Sequence, residues 1–154
     1  MTYSVSVKQF FKLLFLLLLT NAVGYLGAGF MTERSMVWYH SLRGSSLTPP
    51  DFVFGIVWPV LYALMALAAF NVWGKVSPRY FCLQLILNGL WSFIFFYFQA
   101  PFAALVCLVL MLYFLMMTQI QFMRASKLAG FLLVPVTVWC WFAFYLNGFI
   151  VFMN

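Results

Sequence analysis

Three apolar stretches of the chain carry aromatic side chains and uncharged polar groups at helical spacing, so that each set lies on one helix face. The sets are Phe54, Trp58, Tyr62 and Met65; Gln84, Asn88, Trp91 or Ser92, and Phe95; and Pro135, Trp139, Phe142 or Ala143, and Leu146 or Asn147. One such stripe alone is more typical of packing or lipid contact. Three together favour a shared cavity. Indole, phenol and amide groups around a cavity would suit a large, flat, mostly apolar ligand.

Ionisable groups are missing from the same stretches, and this excludes several kinds of chemistry. No Asp, Glu, Lys or Arg falls in the interior of an apolar stretch, and the single histidine, His40, lies between two of them. Ion-coupled transporters and proton pumps usually need an ionisable residue within the membrane. Hydrolytic and metal-dependent catalysis need acid–base groups or metal ligands, so we expect neither, and no metal site.

The composition indicates where these stretches lie. Of 154 residues, 67% are hydrophobic, 22% aromatic and only 6% charged, whereas an ordinary soluble domain has about 25% charged residues. So few charges cannot cover a water-exposed surface, which excludes a soluble enzyme. A membrane span needs about 20 residues. We therefore predict an all-α integral membrane bundle of five transmembrane helices, in one domain over 1–154.

Turn-forming and charged residues divide the chain into these spans. The predicted helices cover 9–30, 51–73, 79–98, 101–123 and 128–152, and the loop 31–50 contains a candidate interfacial helix at 36–42. Asp51 is the predicted N-cap of the second span. Pro135 falls inside the fifth, where a local kink would be tolerated. The small residues Gly24, Gly27, Ala28 and Gly29 predict close packing, either within the bundle or between subunits.

The distribution of charge predicts an orientation. The net charge is +6, and five spans place six basic residues with no acid on one side: Lys8, Lys12, Lys75, Arg79, Arg124 and Lys127. The other side holds Arg34 and Arg43, offset by Glu33 and Asp51. The positive-inside rule then predicts a cytoplasmic N-terminus and an outside C-terminus. Because the basic residues lie at span ends and form no patch, we expect no nucleic-acid partner. A bacterial cell membrane is the expected location.

Motifs from Trp38 onward occur in a distinctive order and spacing. They are Trp38-Tyr39-His40-Ser41-Leu42 and Leu47-Thr48-Pro49-Pro50 in the loop; Phe54, Trp58, Leu61-Tyr62, Met65, Ala68 and Val72-Trp73 in span two; Gln84-Leu85, Leu87-Asn88, Trp91-Ser92 and Phe95-Phe96 in span three; and Leu132-Leu133, Pro135, Trp139, Phe142-Ala143 and Leu146-Asn147 in span five. As a set they resemble the translocator protein, or tryptophan-rich sensory protein (TspO), family. Spans one and four match it by hydropathy only.

The resemblance implies a five-helix bundle, often a homodimer, with a pocket under the first loop. It implies a membrane receptor or sensor that needs no cofactor and binds porphyrins (protoporphyrin IX, haem), sterols, and isoquinoline carboxamide or benzodiazepine-type drugs. Carried over by motif, the pocket residues are Phe54, Trp58, Tyr62, Asn88, Trp91, Ser92, Phe95, Trp139, Ala143 and Leu146.

Two other functions stay open. One is a light- and oxygen-dependent porphyrin-degrading enzyme, for which the resemblance implicates Trp58 and Trp139; the other is a passive transporter of tetrapyrroles or sterols. The chain also departs from the family pattern. Ser45 replaces a proline and Leu47 an aromatic residue, which predicts a loop that closes the pocket less tightly. No basic residue lies between Leu146 and Asn154, which argues against cholesterol as the natural ligand.

Overall fold

The computed structural model describes residues 6–154, and within this range it contains helices and no strands. The helices are α1 (Val7–Ala28), α2 (Glu33–Ser41), α3 (Asp51–Asn71), α4 (Arg79–Ser92), α5 (Pro101–Ala125), α6 (Lys127–Leu132) and α7 (Val134–Met153), with a π-helical turn at Phe93–Tyr97 that continues α4. Five segments in this range are long and apolar enough to cross a membrane: α1, α3, α4 with its π-helical turn, α5, and α6 with α7. The predicted all-α, five-span membrane fold is confirmed.

The spans form a ring. Helix α1 packs against α3 and α4, α5 packs against α4 and α7, and α3 completes the ring. Helix α3 lies along α6 but touches α7 at few positions. We call the end that carries the segment 29–50 the loop end, and the end with the α3–α4 and α5–α6 turns the basic end. The ring is therefore tightly closed at the basic end and looser between α3 and α7 at the loop end.

The fifth span is divided at Leu133. Pro135 has no N–H to donate and its ring disfavours a helical residue before it, so an uninterrupted α-helix is not formed here. The chain instead makes a turn in which the Leu133 N–H donates to the Gly130 carbonyl at 3.2 Å. This break lies where the contacts of α3 pass from α6 to α7. Pro135, the proline of the third stripe, thus marks the boundary between the closed and the looser seam.

The beginning of α3 differs from the prediction. Pro50, not Asp51, is the N-cap residue, and Asp51 is the first residue of the helix. The predicted Asp51 N-cap is therefore wrong. The physical reason is that the Asp51 carboxylate accepts a hydrogen bond from His40 of α2 instead of from the first turn of its own helix.

The small residues of α1 pack within the chain. A methyl group added at Gly24 would overlap the Tyr62 ring, and one at Gly27 would lie 3.1 Å from the Ser92 Oγ. The Thr20 hydroxyl also donates to the Tyr62 carbonyl at 3.0 Å. Of the two alternatives for this cluster, Gly24 and Gly27 serve contact between α1 and its neighbours α3 and α4.

Candidate ligand-binding cavity

Two adjoining cavities lie at the loop end of the bundle. The first, which we call the α7 cavity, has a volume of about 90 Å³ and lies among α2, α3, the end of α4 and α7. The second, the α1 cavity, measures about 350 Å³ and lies among α1, α3 and α4. The residues common to both are Met31, Asp51, Phe54, Trp58 and Trp91. Since they share these walls, side-chain movements of a few residues would join them.

Every residue that the sequence places in a pocket borders one of these cavities. Phe54, Trp58 and Trp91 line both; Phe95, Trp139, Ala143 and Leu146 line the α7 cavity; Tyr62, Asn88 and Ser92 line the α1 cavity. The structure thus brings the three stripes together around one region. Ligand binding by these residues stays a prediction.

Aromatic pairs form the walls. The Trp58 and Tyr62 rings stack at 5.5 Å between centroids on α3. On α4, Trp91 stacks on Phe95 at 5.3 Å. Across the looser seam, Phe54 of α3 meets Trp139 of α7 edge to face at 5.9 Å. Such ring contacts each contribute about 0.5–1.5 kcal/mol beyond the area they bury. The seam between α3 and α7 is therefore bridged by rings beside the α7 cavity.

Hydrogen bonds orient the polar edges of these rings. The Tyr62 hydroxyl donates to Asn88 Oδ1. The Trp91 indole N–H donates to Asn147 Oδ1 at 3.0 Å, and the Asn147 amide donates onward to the Pro101 carbonyl at 2.9 Å. The amides of the stripes thus connect α3 to α4, and α4 to α7 and α5. In an apolar interior these bonds fix which face each ring presents to the cavity.

The Trp139 indole differs from its neighbours. Its N–H is buried and has no hydrogen-bond partner. A buried donor without an acceptor costs about 1–3 kcal/mol. A ligand that brought an acceptor to this position, after a small rotation of the indole, would remove that cost. Trp139, which lines the mostly apolar α7 cavity, thus carries one unused donor.

The segment 29–50 covers the α7 cavity and is attached at three places. His40 Nε2 donates to Asp51 Oδ2 at 2.9 Å, and Ser45 shares a hydrogen bond of 3.0 Å with the Tyr145 hydroxyl of α7. The Arg43 N–H donates to the side-chain oxygen of Asn154 at 2.9 Å. Ser45, which predicts a looser loop, is in fact buried and hydrogen-bonded.

Tyr39 of α2 forms part of this cover. Its ring lies 6.0 Å from Phe95 and 5.9 Å from Phe96. Burial raises the pKa of the Tyr39 phenol, and the negative charge of Asp51 raises it further. A phenol is neutral at physiological pH even at its ordinary pKa, so Tyr39 presents a hydrogen-bonding hydroxyl and not a charge.

Sequence reasoning missed a second set of lining residues. They are Met31, Met36, Tyr39, Asp51, Phe96, Asn147 and Ile150 at the α7 cavity, and Asn21, Gly24, Tyr25, Ala28, Gly55 and Pro59 at the α1 cavity. Phe96 could not be found from α-helical spacing, because the wider π-helical turn, in which Phe98 N–H donates to the Phe93 carbonyl, brings both Phe95 and Phe96 inward. Asn147 had a signal, since it belongs to the third stripe.

No cluster of three His, Cys, Asp or Glu side chains suited to a metal ion occurs in the range 6–154. Besides the aromatic rings, the polar residues that line the two cavities are Asn21, Asn88, Asn147, Tyr25, Tyr39, Tyr62, Ser92 and Asp51.

Comparison with known proteins identifies the family to which the chain belongs. The model of the TspO/MBR family matches residues 16–153. The chain belongs to the TspO/MBR family. It is 38% identical to the tryptophan-rich protein TspO of Chlorobaculum tepidum over 96% of this chain and 98% of that one. It is 33% identical to the protein of the same name from Archaeoglobus fulgidus, over 93% and 97% of the two chains. A tryptophan-rich sensory protein of Cereibacter sphaeroides is 33% identical over 71% of this chain and 72% of its own.

Membership of the TspO/MBR family confirms the resemblance drawn from the loop and from spans two, three and five. The matched range also includes most of α1 and all of α5, where the chain resembles the family by hydropathy alone. With five apolar helices, this TspO/MBR protein is an integral membrane protein.

Proposed function

We propose that this protein is a membrane receptor or sensor that binds porphyrins, such as protoporphyrin IX or haem, in the two adjoining cavities. One relative is named a tryptophan-rich sensory protein, which supports a sensory role. Sterols and isoquinoline carboxamide drugs are further candidate ligands from the family resemblance, and a homodimer is its expected assembly.

The observation that carries the proposal is the convergence of three indoles from three helices. Trp58 of α3, Trp91 of α4 and Trp139 of α7 all border the α7 cavity. A porphyrin is flat and apolar over its faces and polar at its edge. Indole faces would stack on the ring, and the unpartnered Trp139 N–H would suit an acceptor at the edge. The α1 cavity alone reaches the range of about 300–1,000 Å³ typical of small-molecule sites.

Two tryptophans of α7 make a matched test. Trp139 lines the cavity, whereas Trp141, two residues further, is half exposed on the outside of the bundle. We would titrate protein in nanodiscs with protoporphyrin IX and follow its Soret absorption. Trp58→Ala and Trp139→Ala should each weaken binding about tenfold, from lost stacking and apolar contact. Trp141→Ala should bind like the unchanged protein. Equal affinities for all four proteins would rule out the cavities as the porphyrin site.

A second candidate function is light-dependent porphyrin degradation. It is favoured by one specific observation, that Trp58 and Trp139 border the same cavity, so a ring bound there would contact two oxidisable indoles. Illumination under oxygen should bleach bound protoporphyrin faster with the unchanged protein than with the double variant Trp58→Phe, Trp139→Phe at equal occupancy. Bleaching equal to that without protein would exclude this activity.

The charges support a cytoplasmic basic end. Lys8 and Lys12 begin α1, while Lys75, Arg79, Arg124 and Lys127 flank the α3–α4 and α5–α6 turns. The cavities would then lie towards the outside of a bacterial cell membrane. Alkaline phosphatase fused after Asn154 should be active and a green fluorescent protein fused there dark; the reverse pattern would overturn this orientation.

A further inference from the structure

The basic end of the bundle carries charges for which the protein supplies no counter-charge. The two acidic residues of the chain, Glu33 and Asp51, both lie at the loop end. Within residues 6–154 the only ion pair joins His40 to Asp51 there. Arg124 is exposed in the last turn of α5. In a membrane, the anions available to such a cation are the phosphates of lipid headgroups.

Two outer grooves meet at Arg124. One runs between α5 and α7, has a volume of about 500 Å³ and is lined by Met116, Gln119, Ile120, Met123, Arg124, Thr137 and Trp141. The other lies on the α4 side of α5, measures about 490 Å³ and is lined by Val76, Tyr80, Met117, Ile120, Gln121, Arg124 and Ala125. Ile120 and Arg124, one helical turn apart, belong to both. The outer face of α5 thus forms a ridge with a groove of similar size on each side. Arg124 lies at the basic end of this ridge.

The polar side chains beside the two grooves differ in whether they have a hydrogen-bond partner within the protein. The Thr137 hydroxyl donates to Gln119 Oε1 at 2.7 Å, and the Gln119 amide donates to the Gly130 carbonyl at 3.4 Å. The α7-side groove therefore presents thioether, alkyl and indole surface. On the other side, Gln121 Oε1 is buried without a hydrogen-bond donor. That oxygen is enclosed, so Arg124 is the cation that both grooves present to a lipid.

We propose that the outer face of α5 binds a single anionic phospholipid, of the phosphatidylglycerol type. The phosphate lies against Arg124, and the two acyl chains follow the two grooves on either side of Ile120. Phosphatidylcholine carries a choline cation that offsets its phosphate, so an exposed arginine favours the anionic lipid. This site faces lipid on the outside of the ring and is separate from the cavities at the loop end.

Lipid selectivity tests the proposal with the intact protein. Native mass spectrometry after detergent release would compare phosphatidylglycerol with phosphatidylcholine of the same chain length. The unchanged protein should retain one phosphatidylglycerol, about five- to tenfold more often than phosphatidylcholine, because one basic residue near an anionic lipid surface contributes about that ratio. Equal retention of the two lipids by the unchanged protein would overturn the site, and this arm needs no variant to fold.

Variants locate the site. Arg124→Gln should reduce phosphatidylglycerol retention to the phosphatidylcholine level, whereas Lys8→Gln, which removes the same charge at the same end but away from both grooves, should retain it. Lyso-phosphatidylglycerol, with the same headgroup and one chain, should bind at least fivefold more weakly, since it fills one groove only. Equal losses from both variants would mean that general surface charge, and not Arg124, holds the lipid. Equal retention of the one-chain and two-chain lipids would refute the two-groove arrangement.

Discussion

The two halves of α3 face the same fifth span and differ in almost everything that decides packing. Near the basic end, α3 presents Ala66, Ala68 and Ala69, all buried, to the rest of the core and packs closely on α6. Near the loop end it presents Phe54 and Trp58 towards α7, and cavities remain between the rings. Small side chains let helix backbones approach closely in a membrane, whereas large rings keep them apart. The α7 cavity forms where the ring-bearing half of α3 meets α7, a helix that has Pro135 in its first turn.

The packed half of α3 also bears on whether the protein could transport a tetrapyrrole across the membrane. Met65, Leu115 and Leu133 are completely buried between the cavities and the basic end. A passive transporter of tetrapyrroles would need these side chains to move apart over the width of a porphyrin. The difference between the two halves of α3 thus favours a binding site that a ligand enters and leaves from the loop end.

The largest expected effect comes from the same substitution made in the packed half of α3 and at the α7 cavity. Ala68→Leu adds three carbon atoms at a completely buried position and should lower the free energy of unfolding by about 1–3 kcal/mol. Ala143→Leu adds the same atoms at the edge of the α7 cavity, so stability should change little while protoporphyrin affinity falls. Steric-trapping or denaturant unfolding in micelles, with a porphyrin titration, measures both.

One result would contradict the proposed difference between the packed half of α3 and the α7 cavity. If Ala143→Leu destabilised the bundle as much as Ala68→Leu and left porphyrin affinity intact, the α7 cavity would be a packed region and not a binding site.

A smaller effect is expected from the tyrosine that joins α3 to α4. Tyr62→Phe removes the hydrogen bond to Asn88 and leaves the buried amide oxygen without its donor. Stability should fall by about 1 kcal/mol, and porphyrin affinity should fall with it, because the Tyr62 ring then loses its fixed orientation against Trp58. Tyr80→Phe at the basic end is the matched control and should change neither quantity. Equal behaviour of the two variants would show that the Asn88 contact does not organise the cavity wall.

The smallest effect concerns the cover over the cavity. His40 and Asp51 are each about half exposed, and such a pair contributes about 0–1 kcal/mol. His40→Ala and Asp51→Asn should leave unfolding unchanged within that range but speed protoporphyrin release two- to fivefold in stopped-flow displacement. The double variant should release it no faster than either single one, since each removes the same contact. Glu33→Gln, also exposed on α2, serves as the control. Additive effects of His40 and Asp51 would contradict a shared attachment.

The sequence predicts the cavity walls well for regular helices and less well where the backbone departs from them. Trp58 and Trp139 follow from spacing along α3 and α7, and the span count follows from hydropathy. Phe96 enters the cavity through a π-helical turn, which hydrophobic periodicity does not encode. Asp51 bonds across to α2, a tertiary contact that overrides its local preference for the N-cap. The division at Leu133 is signalled by Pro135, but its consequence for the α3–α7 seam depends on packing over the whole ring.

A structure of the protein with protoporphyrin IX, determined in nanodiscs by cryo-electron microscopy with a rigid binder to add mass, tests the central claim most directly. Density for the ring is expected between α3 and α7 at the loop end, in contact with both Trp58 and Trp139, with an acceptor of the ligand within hydrogen-bond distance of the Trp139 Nε1. Density confined to the outer surface near Trp141, with both cavities unchanged, would contradict it.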